Sequence, residues 1–178
     1  MAGAAFAQSS TNNINTNNIF VGYSFLASNL YSGQHANLSG WNVSAEKKYL
    51  PLFGVVADIS GLYGSKNVPL NGSCANACLV PSSVSEYSFQ GGIRGSYANA
   101  KVRPFGEALF GAVHTVESGP GLSNSHNGFS ATLGAGIDCR LTRVLGCRVN
   151  VYYIVTGTFG ITDRQNSVGA STGLVYRF

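Results

Sequence analysis

The sequence predicts an all-β fold, an eight-stranded antiparallel up-and-down barrel that crosses a membrane with its strands. Three observations carry that expectation: composition, eight segments of alternating polarity, and connections that alternate between short and long. Only 10% of the 178 residues are charged, against 23 glycines, 9 tyrosines and 10 phenylalanines. That bias suits strands and tight turns over a helical bundle. Nothing approaches the roughly 18 continuous apolar residues of a spanning helix, so insertion into a bilayer has to use strands.

Period-two alternation defines the segments, each about ten residues or slightly longer, as a tilted spanning strand requires. The first covers 19–31, with Ile19, Val21, Tyr23, Phe25 and Ala27 on one face. The second, 39–49, sets Trp41, Val43 and Ala45 against Asn42, Ser44 and Glu46. The third, 53–64, aligns Val55, Ala57, Ile59 and Tyr63 opposite Asp58 and Ser60, and the fourth, 85–97, aligns Tyr87, Phe89, Ile93 and Tyr97 opposite Glu86, Ser88, Gln90 and Arg94. The fifth, 102–115, alternates poorly and leaves its facing open. In the sixth, 128–141, Phe129, Ala131, Leu133, Ala135 and Ile137 oppose Ser130, Thr132 and Asp138. The seventh, 146–156, sets Val149, Val151 and Tyr153 against Arg148, Asn150 and Tyr152. The eighth, 168–178, puts Ala170, Thr172, Leu174, Tyr176 and Phe178 together.

Connections at 47–52, 98–101 and 142–145 are short. Those at 32–38, 65–84, 116–127 and 157–167 are long and rich in Gly, Ser and Asn. All long loops therefore gather at one end, the asymmetry of an up-and-down membrane barrel. A soluble barrel would point Tyr87, Phe89, Ile93 and Tyr97 inward. Against that stands the charge content, because a solvated exterior typically carries about a quarter to a third charged residues. Tyr23, Trp41, Tyr49, Tyr63, Tyr97, Tyr153 and Tyr176 instead suit interfacial girdles.

The net charge of +4 raises nucleic acid as a partner. The basic residues are scattered, only Lys47 and Lys48 being adjacent, so the stripe such a partner requires is missing. Residues 1–18 read as a signal-peptide remnant and polar leader, with Ala5-Phe6-Ala7 matching the small-x-small cleavage rule before Gln8, and 19–178 as the barrel domain. Cys74 and Cys78 would staple a polar loop, and Cys139 and Cys147 flank a turn on one strand face. Disulfides are favoured over zinc, since no third and fourth ligand accompany the Cys-x3-Cys spacing. The connectivity stays open.

The last residues, Leu174-Val175-Tyr176-Arg177-Phe178, resemble the C-terminal signal of bacterial outer-membrane proteins, carried by Leu174, Tyr176 and Phe178. The segments Gly22-Tyr23-Ser24, 56–64 and Pro104-Phe105-Gly106-Glu107-Ala108-Leu109-Phe110-Gly111 are similar to those of OmpA-like outer-membrane β-barrel domains. The resemblance implies a location in the outer membrane, outer-membrane lipid as surroundings and the barrel-assembly machinery as a partner during insertion. It names no activity, because that superfamily includes structural barrels, adhesins, small pores and lipid-modifying enzymes.

Charges of both signs fall on the inward face: Glu46, Asp58, Glu86, Arg94, Glu107, Asp138, Arg140, Arg148 and Arg177. In a dry interior each must pair or neutralise. A lumen only as wide as its own side chains favours a salt-bridged plug over a polar pore lining. For catalysis a nucleophile, base and orienting group must converge. His35 and His126 fall in loops and His114 near a strand end, with no such arrangement around them, so neither catalytic residues, cofactor nor metal are expected. Gly91-Gly92 and Gly134-Ala135-Gly136 lie inside strands, where a phosphate cradle cannot form. Gly40-Trp41 lacks the spacing of a lipocalin signature. The sequence thus points to a structural or surface-interaction barrel, contacting an unknown extracellular partner through 74–81 and 118–126. A narrow porin-like channel and a soluble lipocalin-like barrel are the alternatives.

Overall fold

The structure is a computed structural model that describes residues 17–30, 34–69, 79–97, 101–119, 122–158 and 164–178. The expected signal remnant and the Cys74–Cys78 staple lie outside these residues. Eight strands run in order: β1 (Asn18–Leu30), β2 (Gln34–Lys48), β3 (Phe53–Pro69), β4 (Leu79–Ser96), β5 (Val102–Gly119), β6 (Leu122–Arg140), β7 (Leu145–Thr158) and β8 (Arg164–Arg177). Each pairs antiparallel with the next, and β1 pairs with β8 to close the barrel.

Closure fixes which alternate residue faces which medium. The outward set is apolar: Val21, Phe25, Val55, Phe89, Phe110, Leu133, Val149 and Val151 are all exposed. So are the seven aromatics expected at the girdles, from Trp41 at 41% to Tyr97 at 67%. The inward set is buried and largely polar, including Ser24, Ser44, Gln90, Thr132, Asn150 and Ser171. The poorly alternating fifth segment is resolved here. Phe105, Leu109 and Val113 of β5 face the lumen at 3–5% exposure, while Phe110 faces outward at 66%. Both faces of this strand carry apolar residues, which erases the period-two signal.

The long loops expected at 32–38, 65–84, 116–127 and 157–167 are mostly strand. Only 31–33, 70–78, 120–121 and 159–163 separate the described strands at that end. A crossing takes about 9–11 residues, yet β3, β4, β5 and β6 have 17, 18, 18 and 19. Beyond the apolar band both faces of a strand meet water, so Ser and Asn occupy both and the ladder continues without alternation. His35 and His126, expected in loops, consequently belong to β2 and β6.

The extension is lopsided. Pairing of β2 with β3 ends at Ser39↔Tyr63, although β3 and β4 continue to Pro69↔Leu79. On the other flank β5 and β6 pair up to Gly119↔Leu122, whereas β6 meets β7 only from Gly128↔Thr158. β3 to β6 thus form a four-stranded ladder that continues past their last pairs with β2 and β7, a crest. Placing a charge in the middle of the apolar band tests this geometry. Leu133→Arg should lower unfolding stability in vesicles by about 2–4 kcal/mol, while Ser125→Arg on the crest should leave the denaturant midpoint unchanged.

Candidate functional site

The lumen holds what chemistry the chain offers. On β4, Arg94 reaches both neighbouring acids: Nη1 donates to Glu46 Oε2 at 3.0 Å and Nε to Glu107 Oε2 at 2.8 Å. Asn18 and Asn150 complete the cluster by donating to Glu46 Oε2 at 2.9 Å and Glu107 Oε1 at 2.8 Å. A second cluster sits toward the short turns. Arg148 on β7 forks onto Asp138 of β6, Nε to Oδ1 at 2.6 Å and Nη2 to Oδ2 at 3.0 Å, with Arg177 Nη2 of β8 at 3.7 Å from Oδ2.

Phe105 joins the two clusters. The guanidinium carbons of Arg94 and Arg148 each lie 4.7 Å from its ring centroid, and Arg148 lies 5.2 Å from that of Phe20. Desolvated cation–π contacts contribute on the order of 2 kcal/mol each. Two glycines make the room: a side chain at Gly136 would strike the Phe105 ring, and one at Gly22 the Phe20 ring.

Toward the crest the lumen changes character. Asn42 donates to both oxygens of Asp58 at 2.9 Å. Gln90 donates to Ser130 at 2.7 Å and accepts from Thr132 at 2.9 Å, and Ser60 and Ser88 share a bond of 2.7 Å. Asn42, Asp58, Ser60, Ser88, Gln90 and Thr132 surround a cavity of about 40 Å³, also lined by Glu86 and Tyr152. A space so small has room for a few waters and nothing larger. Above it, Leu26, Leu38, Leu62 and Val84 pack together with Tyr152 and Ile154 against them, so the loop side of the lumen is capped by hydrocarbon.

Of the charges expected inside, Glu46, Arg94 and Glu107 meet in one cluster, and Asp138, Arg148 and Arg177 in the other. Asp58 and Glu86 stand apart from both, Asp58 held by Asn42 and Glu86 beside the cavity. Arg140 is a correction: it is exposed, because it is the last residue of β6 and the wall ends there. Cys139 and Cys147 are directly opposed across β6 and β7, yet both are free thiols, so the expected bridge is not formed. Register sets thiols side by side; it does not oxidise them. His114 faces Asn127 at 2.6 Å from Nδ1 to Oδ1, and among the described residues no group of three or more His, Cys, Asp or Glu could hold a metal ion. Leu174, Tyr176 and Phe178 lie exposed on the outer face, with Tyr176 and Phe178 stacked at 6.0 Å.

Sequence reading missed Phe20, Phe105 and the Leu26–Leu38–Leu62–Val84 cap, since a lumen was expected to be polar throughout. Alternation in 19–31 did carry the signal: Phe20 and Leu26 occupy its inward positions.

The Arg94 cluster yields a stability test. Arg94→Ala strands two buried carboxylates, so stability should fall by about 3–5 kcal/mol. Replacing Arg94, Glu46 and Glu107 together by apolar residues of similar volume should recover most of that loss in the same denaturant titration.

No protein-family model matches the chain, and no curated protein matches its sequence. Solved structures do match. Ail, the attachment invasion locus protein of Yersinia pestis, is 18% identical at a TM-score of 0.63, over 92% of this chain and 99% of that one. Neisserial surface protein A is 12% identical at 0.66, over 93% and 98%. Outer membrane protein H of P. aeruginosa is 18% identical at 0.54, over 90% and 99%. At these identities the likeness is one of fold, and the fold is that of a small eight-stranded barrel.

Proposed function

We propose that the chain is an integral barrel of a bacterial outer membrane with a structural or surface-interaction role and no enzymatic chemistry. One observation carries the reading: an exposed apolar exterior wraps a lumen of paired charges, the reverse of a water-soluble barrel. Outer-membrane lipid covers that exterior, the short turns face the periplasm and the crest faces outward. Ail and NspA are named for attachment, invasion and the cell surface, which supports the same role here.

Finer assignments follow from the sequence resemblance. The chain is OmpA-like, enters by a signal peptide, and is inserted by the barrel-assembly machinery through Leu174, Tyr176 and Phe178. An extracellular partner engages the crest around 118–126, where Ser123, Asn124, Ser125, His126 and Asn127 are exposed.

A narrow channel is the second reading, and the lumen argues against it. A solute would have to break the Arg94 and Arg148 clusters and part the apolar cap. A lipocalin-like soluble barrel fails because the apolar face points outward.

Gel mobility with and without boiling is the first test. A detergent-refolded chain should resist unfolding in SDS and shift only on heating, and planar bilayers should show no steady conductance. Migration unchanged by boiling, together with solubility in plain buffer, would overturn the membrane reading; conductance abolished by Arg94→Ala would replace the plug with a pore.

A further inference from the structure

We propose that the short-turn mouth of the lumen is an oxyanion site that takes a phosphate group. Charge is segregated along the barrel. Lys66 and Arg164 apart, every lysine and arginine of the chain lies in the short-turn half. Only Glu46, Glu107 and Asp138 accompany them there, and the first two are committed to Arg94.

Asp138 is left to serve three guanidinium groups. In the strand register it stands opposite both Arg103 and Arg148. Arg148 takes both of its oxygens, and Arg177 approaches only to 3.7 Å. The consequence is a surplus of buried donors: Arg103 Nη1, Arg148 Nη1 and Arg177 Nε have no hydrogen-bond partner. Arg148 and Arg177 are 1% and 5% exposed, so bulk water does not serve those atoms freely. Lys48, 4% exposed and bonded to Ser96, lies within electrostatic reach of Arg103, as do Arg140 and Arg103 of Arg177.

Among the described residues no further acidic side chain lies there to answer them. Asp58 and Glu86 line the cavity toward the crest, Glu117 sits in the outer part of β5, Asp163 belongs to the β7–β8 connection, and residues 1–17 contain no acid. Buried like charges around one carboxylate are costly until an anion joins them. Guanidinium forks match phosphate oxygens two at a time, and a phosphate group offers more acceptors than a second carboxylate would. Its source is either free phosphate or the headgroup of an anionic lipid in the adjoining leaflet. The site rests on lumen geometry alone; only the lipid source rests on the membrane reading above.

The test follows thermal unfolding of the refolded chain in a neutral detergent. Inorganic phosphate should raise the midpoint above that in chloride at equal ionic strength, with saturation. Arg103→Gln removes a group that holds no ion pair, and should weaken the effect about tenfold, the loss of one charge-assisted bond. Arg177→Gln should do the same, while Arg143→Gln, on the exposed turn, should behave as the parent. A second arm replaces part of the detergent by short-chain phosphatidylglycerol or phosphatidylcholine. Protection by phosphatidylglycerol alone, lost in Arg103→Gln, assigns the site to a lipid headgroup; protection by inorganic phosphate as well assigns it to the free anion. No protection beyond chloride from either probe, or equal protection of Arg103→Gln and parent, overturns the proposal.

Discussion

Eight strands closing on themselves leave an interior no wider than the side chains that fill it, and the rest of this barrel follows from that limit. With an apolar exterior, the lumen receives the polar half of every alternating strand, and little water comes with it. Charges in that space have to find each other. They do so across strands: Arg94 ties β4 to β2 and β5, while Arg148 and Arg177 tie β7 and β8 to β6. Phe105 then holds the two arginines against one ring. Apolar residues of equal volume would match the ion pairs in stability. What the pairs add is selectivity of register, since a two-residue slip of β4 would carry Arg94 away from both of its acids.

The same limit explains the layering along the axis. Long charged side chains fill the short-turn half, small polar ones surround the cavity in the middle, and leucines close the side toward the crest. A passage would need all three layers open together. The leucine cap also separates the crest, which meets water on both faces, from the ion-pair clusters, so substitution on the crest can proceed without disturbing the plug.

How much of this was legible in the sequence depended on whether a residue's two faces met different media. Through the apolar band they do: alternation separated Tyr87, Phe89 and Ile93 from Ser88, Gln90 and Arg94, and the sparse charge then set which side faces outward. Above the band the media are the same, so 122–127 looked like loop although it is strand. In β5 the reading failed for the opposite reason: Phe105, Leu109 and Val113 are apolar because they pack inside, and Ala108 and Phe110 because they face outward. Among the lumen charges, sequence gave the inventory and parity of Glu46, Arg94, Glu107, Asp138 and Arg148, but which pairs form depends on stagger between strands, which no single strand encodes. Arg140 had the right parity and lay one residue too close to the edge.

Charge placement also fits the way such a barrel has to enter a bilayer. In the orientation proposed above, the connections toward the crest traverse the hydrocarbon, whereas the short connections after β2, β4 and β6 remain where they began. Carrying a basic side chain through the bilayer centre costs about 2–4 kcal/mol. Lys47, Lys101, Arg140 and Arg143 cluster around the turns that stay behind, and the far ends of the strands carry mainly Ser, Asn and Gly. The same polarity leaves the finished barrel with a positive mouth, where Arg103 Nη1, Arg148 Nη1 and Arg177 Nε lack hydrogen-bond partners.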